Sequence, residues 1–252
     1  MRTLADSIRL VRRSDFATAP AGLVTERIDG AFVDSTRDYP SFWHGNRIVL
    51  DRPPSAYELE RWSERHRELF AWREGTQPVV VTWYDRPDVP ASEIANEINT
   101  ALIAPSAFAD APQPAGLHAV QPSTDAHWEG VSDLISEIHP EYGDFARWRV
   151  ATLRALVEGG RGIYRALLDA NGAVVAALGA FHADGVGRYA NVQTAQAYRR
   201  RGCAAYQVTS ALRDLRTHVD DVVIVAETGG EADRLYRRLG FVPILSIQSI
   251  LR

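Results

Sequence analysis

The chain has 252 residues, a formal net charge of −4, and 46% hydrophobic against 24% charged residues. That length buries one large core or two ordinary ones, and the acidic balance argues against nucleic acid or an anionic membrane as partner, since both need a basic face. No window has the apolar length of a membrane span, Met1 to Phe16 lacks the apolar core of a secretory leader, and the one cysteine, Cys203, allows no intramolecular disulfide framework. These features fit a reducing cytosol, so a soluble cytoplasmic protein is expected.

From the N-terminus, strands are expected over Ile28 to Val33 and Phe42 to Leu50. Pro53 and Pro54 then punctuate the start of a helix at Ser55, whose Glu58 stands at capping-box spacing. Leu59, Trp62, Leu69 and Phe70 fall near one face of that helix, and after Gly75 the run Pro78 to Asp85 reads as a buried strand. Ile103 to Gly116 is dominated by Ala and Pro, reads as an exposed linker, and divides the chain into residues 1–112 and 113–252. Beyond it the expected order is a strand at Leu117 to Val120, a helix at Thr124 to Ile138, and a second helix at Phe145 to Val157 ending at Gly159-Gly160. A hairpin follows, with Asn171-Gly172 as its turn between Ile163 to Leu168 and Ala173 to Phe181. Then come a strand at Tyr189 to Thr194, a helix at Cys203 to Val219, a strand at Val222 to Ala226, a helix at Glu231 to Leu239, and closing strands over Phe241 to Leu251. The resulting order is β-α-α-β-β-β-α-β-α-β.

The strand through Asn191-Val192-Gln193-Thr194 runs by way of Ala195 to Tyr198 into Arg199-Arg200-Arg201-Gly202-Cys203-Ala204 and then a helix. A glycine loop at a helix start aims several backbone N–H groups at one point, where they and the helix dipole bind an anion. Gly202 permits the curled backbone, Ala204 keeps the loop wall small, and the arginines add positive charge with bidentate geometry for phosphate. The bland alternative is a solvated charge run. Cys203 is either a thiol activated at a helix start or a small side chain filling the loop.

Arg199, Gly202 and Ala204 match the Arg/Gln-x-x-Gly-x-Gly/Ala signature of the GCN5-related N-acetyltransferase superfamily, which this half of the chain resembles. Ala232 to Phe241 looks like the family's A-x-x-L-Y-x-x-L-G-F segment, and the two motifs stand in the family's order. The resemblance covers roughly Gly116 to Arg252. It implies an α/β (α+β) fold with a mixed, mostly antiparallel sheet flanked by helices, preceded here by a smaller N-terminal α+β domain that is either a degenerate tandem copy or a family-specific extension.

The resemblance further implies acetyl-CoA as acyl donor, no metal, and direct transfer to an amine of a small molecule or peptide. Val192 and Thr194 would hold the cofactor through backbone groups, and Arg199, Arg200, Arg201, Gly202, Cys203 and Ala204 would take its phosphates. Tyr236 is the candidate general acid. Glu227, His182 or a water relayed by Asn191 is the candidate base, because this strand lacks the glutamate many relatives carry. Gly229 stands where relatives commonly have an Asn that bonds the pantetheine arm. Of another class altogether is a non-catalytic acyl-CoA-binding module. A net negative chain leans toward a cationic acceptor, and oligomeric state is open, a homodimer being one option. No histidine spacing suggests a metal site, and the tryptophans read as core apart from Trp43, which lies with His44 in a turn-like segment.

Overall fold

The computed structural model describes residues 2–40, 42–73, 78–140 and 143–252. Helix α1 (Leu4–Ala17) opens on a capping box between Thr3 and Asp6 and precedes the hairpin β1 (Leu23–Ile28) and β2 (Ala31–Thr36). A short 3-10 turn at Trp43–Gly45 leads into β3 (Arg47–Leu50), followed by α2 (Ala56–Leu69), β4 (Val80–Asp85) and β5 (Glu97–Ile103). The remaining elements are β6 (His118–Val120), α3 (Asp125–Ile138), α4 (Asp144–Glu158), β7 (Gly162–Leu168), β8 (Val174–Ala183), β9 (Val186–Thr194), α5 (Cys203–Leu215), β10 (Asp221–Glu227), α6 (Glu231–Arg238) and β11 (Val242–Leu251). From β6 onward this is the expected order, and the mixed, mostly antiparallel sheet flanked by helices is present.

All eleven strands form one sheet, in the order β1-β2-β3-β4-β11-β5-β10-β9-β8-β7-β6. The two halves of the chain exchange strands: β5 pairs with β10, β11 pairs with β4, and β5 and β11 pair with each other, all antiparallel. Strand alternation sorts the two faces. Leu178, Ala180, Val222, Ile224 and Ala226 face α5 and α6, whereas Val186 and Val223 pack with Leu10 and Val11 of α1. Helices α3 and α4 cover the same face as α1 further along the sheet, against Ala177 and Phe181.

Several expectations need correction. Ile28 to Val33 is not one strand: Ile28 ends β1 and Ala31 to Val33 begin β2, while Asp29 and Gly30 between them both have positive φ (51° and 88°), as a tight hairpin turn demands. Only Arg47–Leu50 of the expected Phe42 to Leu50 strand is extended. The fifth helix stops at Leu215, four residues early, and Phe241 to Leu251 yields one bulged strand rather than several. Gly75, read as a break, lies outside the described residues. The Ala/Pro segment is mostly exposed, as expected, but it is docked at points rather than free: Ala104 and Phe108 pack into the α5 core, Ala111 donates to Thr209 Oγ1 at 3.1 Å, and Asp110 pairs with Arg213. Its prolines exclude helix and ladder, but they leave its apolar side chains free to pack.

Helix α1 is fastened by a buried cluster. Arg12 forms a bidentate pair with Asp34 (2.7 and 2.9 Å), which also accepts from Thr25 Oγ1 (2.8 Å) and Arg47 Nε (3.0 Å). Burial alone would raise the Asp34 carboxyl, yet Arg12 and Arg47 hold it well below the usual carboxylate range. Its contribution is therefore complete above the unfolded-state value of about 3.9 and is lost as pH falls below it. Arg12→Met is expected to destabilise the fold by about 3–5 kcal/mol at neutral pH, because a charge stays buried with less compensation. Urea unfolding measures this, and the loss is expected to shrink at pH 3.

Candidate functional site

The sheet is open at one place. Strands β9 and β10 run parallel and pair through Asp221↔Val186, Val222↔Gly187 and Val223↔Arg188, and among the described residues no ladder pair joins them beyond that point. The cause is local: β9 bulges at Asn191, whose φ is 50°, and its register against β8 shifts between Ala177 and Gly179. The β9 edge from Tyr189 to Thr194 thus faces a gap rather than a partner. Val192 and Thr194 lie on this edge. Thr194 Oγ1 is a buried atom with no hydrogen-bond partner in the structure, an oxygen left for a ligand to satisfy.

Beyond β9 the chain turns through Gln196–Tyr198 into the arginine loop. Arg200 and Gly202 both have positive φ (63° and 85°), and this alternation curls successive amides inward as in an anion nest. The amides of Arg200, Arg201, Gly202, Ala204 and Ala205 have no acceptor among the described residues, and α5 carries no side-chain cap. The space a side chain at Gly202 would enter is open for 4 Å. Arg199 Nε donates to the Thr194 carbonyl at 3.2 Å and Arg201 lies 5.0 Å over the Tyr198 ring. Among the described residues none of the three arginines has a carboxylate partner. Cys203 is buried with Sγ 3.6 Å from the Tyr198 carbonyl, and burial pushes its thiol up, so it fills the loop rather than reacting.

Tyr236 stands on the α5 and α6 face beside the gap, packed with Tyr189, Ala226 and Phe241. Its place follows from the Leu239-Gly240-Phe241 sequence. Gly240 at φ 89° ends α6, its amide bonding Arg237 O and the next amide bonding Tyr236 O, the paired bonds of a Schellman cap. The accompanying apolar contact is Tyr236 against Phe241, with ring centroids 6.0 Å apart. The Tyr236 side chain is 3% exposed, its hydroxyl has no hydrogen bond among the described residues, and burial raises its pKa, so it holds its proton at neutral pH. At the expected Asn position, Gly229 has φ 72° and donates to Asp233 Oδ2 at 3.0 Å; a turn, not a side-chain contact, is what that position supplies.

On the opposite face lies a cavity of about 390 Å³, floored by Tyr189, Ala190 and Asn191 of β9 and by Val225 of β10, and walled by α1, α4 and the β2 to β5 region. It therefore meets the gap from the other side. Glu97, Arg149, Arg188 and His44 line it, and none of the first three was anticipated from sequence. The 3-10 turn carrying Trp43 and His44 explains that segment's semi-exposed character, with Trp43 40% exposed. Glu227 extends the cavity face two residues beyond Val225, at the open end of β10. His182 does not join this group. It pairs in register with Gly187 at the closed end of the gap and stacks on His218 at 4.4 Å.

A larger groove of about 610 Å³ lies at the start of α2, but Ser55 and Glu58 already cap that helix end. Its rim carries five carboxylates against three arginines, a poor setting for an anion. Among the described residues no group of three or more His, Cys, Asp or Glu is placed to hold a metal ion, and no helix is long and apolar enough to cross a membrane.

No protein-family model and no curated protein matches the sequence. Solved structures do match. A conserved protein of unknown function from Staphylococcus epidermidis ATCC 12228 is similar at a TM-score of 0.70 and 10% identity, over 94% of this chain and 96% of that one. A GCN5-related N-acetyltransferase from Kribbella flavida gives 0.63 at 17% identity, over 97% and 95%. A tandem protein of that family from the clavulanic acid biosynthesis pathway gives 0.58 at 16% identity, over 92% and 84%. At such identities the likeness is one of architecture: the fold of this chain, a mostly antiparallel sheet flanked by helices, matches that of GCN5-related N-acetyltransferases, a tandem one among them.

Proposed function

We propose that the chain is an acetyl-CoA-dependent N-acyltransferase whose C-terminal half binds the acyl donor and whose N-terminal half is a degenerate copy that walls the acceptor site. The observation that carries this reading is the gap between β9 and β10, which has an unpartnered amide cradle at its end and a charged cavity on its far face. The residues present fit coenzyme A. The cradle of Arg200 to Ala205 with the flanking arginines would take its phosphates, and the free β9 edge at Val192 and Thr194 would hold its amide-bearing arm as a missing strand would. When bound, acetyl-CoA supplies the acetyl group as a thioester.

The chain's own groups divide the work. In transfer the amine nitrogen bonds to the acyl carbon as the carbon–sulfur bond breaks, so nitrogen must release one proton and sulfur must gain one. Tyr236 holds a proton at neutral pH and donates it from Oη to the departing sulfur. The proton leaving nitrogen passes to solvent by way of the carboxylates on the cavity face, Glu97 and Glu227, and from there one proton returns to Tyr236. Amides along the β9 edge polarise the thioester carbonyl.

Topology supports the tandem reading. Strands β1-β2-β3, crossover α2 and parallel β4, then β5, repeat as β7-β8-β9, crossover α5 and parallel β10, then β11. In the first copy β3 stays paired with β4 to its last residue, Leu50↔Trp83, and α2 is capped by its own side chains. No gap and no cradle form there.

The competing reading, a non-catalytic acyl-CoA-binding module, is favoured by the absence of a carboxylate on β9, which reads Ala190-Asn191-Val192-Gln193. One measurement tests what the two share and a second separates them. Acetyl-CoA is expected to raise the melting temperature under both readings. Thiol release from acetyl-CoA with a panel of amines is expected only of an enzyme, and tight binding with no release from any amine leaves the binding module.

A further inference from the structure

The charges in the cavity do not balance, and the imbalance has a position. Arg12 and Arg47 share Asp34, and Arg47 and Arg188 share Asp15 at 2.9 and 3.2 Å, so three arginines are met by two aspartates. Arg149 stands apart from this network. Its Nη1 donates to the Thr18 carbonyl at 2.8 Å and its guanidinium lies 5.5 Å from the Phe42 ring, but it has no ion pair among the described residues. Burial lowers it to about 10, which leaves it protonated at neutral pH. Arg149 is half-buried on the cavity wall, and a partly desolvated cation without a counter-ion gains from a ligand that supplies the opposite charge.

On β5 the situation is reversed. Glu97 Oε1 accepts from Asn99 Nδ2 at 3.1 Å and lies 3.8 Å from His44 Nε2, while Oε2 is buried with no hydrogen-bond partner. The cavity lining thus offers an unmatched cation on α4 and an unmatched carboxylate oxygen on β5, and Asn191 of the bulge lines the same cavity at the gap. The net acidity of the chain points to a cationic acceptor, but this local arrangement does not: a diamine would meet Arg149 with like charge.

Resting on the transferase reading above, we propose that the acceptor is a small amino acid-type zwitterion, its carboxylate paired with Arg149 and its ammonium lodged against Glu97. Arg149 anchors the end that does not react, and Glu97 holds the ammonium beside the gap; one proton leaves it to solvent through the cavity carboxylates before the nitrogen attacks the acyl carbon, and the second leaves as the amide forms. The volume of about 390 Å³ lies in the range of small-molecule sites.

The test uses the full chain and needs no variant at first. L-Phenylalanine, L-methionine and L-lysine are each offered as free acid, carboxamide and decarboxylated amine, with thiol release as the readout. Free acids are expected to show kcat/KM higher by about tenfold or more, the size of one charge-assisted hydrogen bond. Arg149→Gln is expected to bring the free acids down to the level of their amides through KM, while Arg149→Lys retains most of the preference. Amides or decarboxylated amines that react as well as the acids overturn the proposal. If no compound releases thiol, the same set is tested for thermal stabilisation in the presence of coenzyme A. Acid-selective stabilisation lost in Arg149→Gln and kept in Arg149→Lys upholds this site while refuting transfer, and stabilisation without selectivity, or none, overturns it.

Discussion

Replacing Tyr236 by Phe is expected to lower kcat about 100-fold while the affinity for acetyl-CoA changes by less than about twofold. The split follows from the site. The ring is held by the Schellman cap of α6 and by Phe241, and Phe keeps both contacts. The hydroxyl has no hydrogen bond among the described residues, so its removal strands no buried partner and costs little stability. What is lost is the proton that sulfur must receive. Because burial raises the Tyr236 pKa, the acid stays protonated as pH rises, and the wild-type profile is expected to show no alkaline limb from this group below pH 10. Thiol-release kinetics measures the first effect and calorimetric titration of acetyl-CoA the second; an unchanged kcat removes the role from Tyr236.

The second large effect is expected at the cradle. The double variant Arg200→Glu, Arg201→Glu places two negative charges where phosphates would sit, and acetyl-CoA is expected to bind about 30- to 100-fold more weakly at low ionic strength. Salt narrows that gap, since both side chains are exposed. Gly202→Ala tests the backbone separately. No atom blocks the new methyl group, but φ 85° costs an L-residue about 1–2 kcal/mol, so either stability or the cradle is lost. Arg52→Glu, at the corresponding helix start of the N-terminal half, is the control: its partner is Glu58, and no change in acetyl-CoA binding is expected. Equal weakening by both reversals would mean that binding follows overall charge rather than this loop.

The parts that sequence revealed are those whose physics is confined to a few neighbouring residues. Ser55 and Glu58 form the expected capping box, and Asn171-Gly172 is the hairpin turn. The Arg199 to Ala204 loop became a curled cradle for the reason given by its glycine. Two elements outside the expected order have equally local signals: Thr3 and Asp6 make the capping box of α1, and Glu97–Ile103 is a strand immediately before the Ala/Pro run. The Asp29-Gly30 pair inside the expected Ile28 to Val33 strand is itself a strong hairpin signal, and it forms the turn.

By itself, then, the sequence determined the order of elements from His118 to Leu251, the curled loop at Arg199 to Ala204 and the cap that holds Tyr236, because each is set by chain neighbours and backbone conformation. The exchange of β5 and β11 between the halves, the wall that α1 and α4 build over the gap, and the meeting of Arg149 and Glu97 in one cavity were decided only in three dimensions. Strand pairing joins residues more than a hundred positions apart, as Val223 meets Ile103. Whether an arginine is neutralised depends on which carboxylates folding brings beside it, not on those near it in the chain. Composition counts charges over the whole surface, and recognition depends on the few that a cavity leaves unmatched.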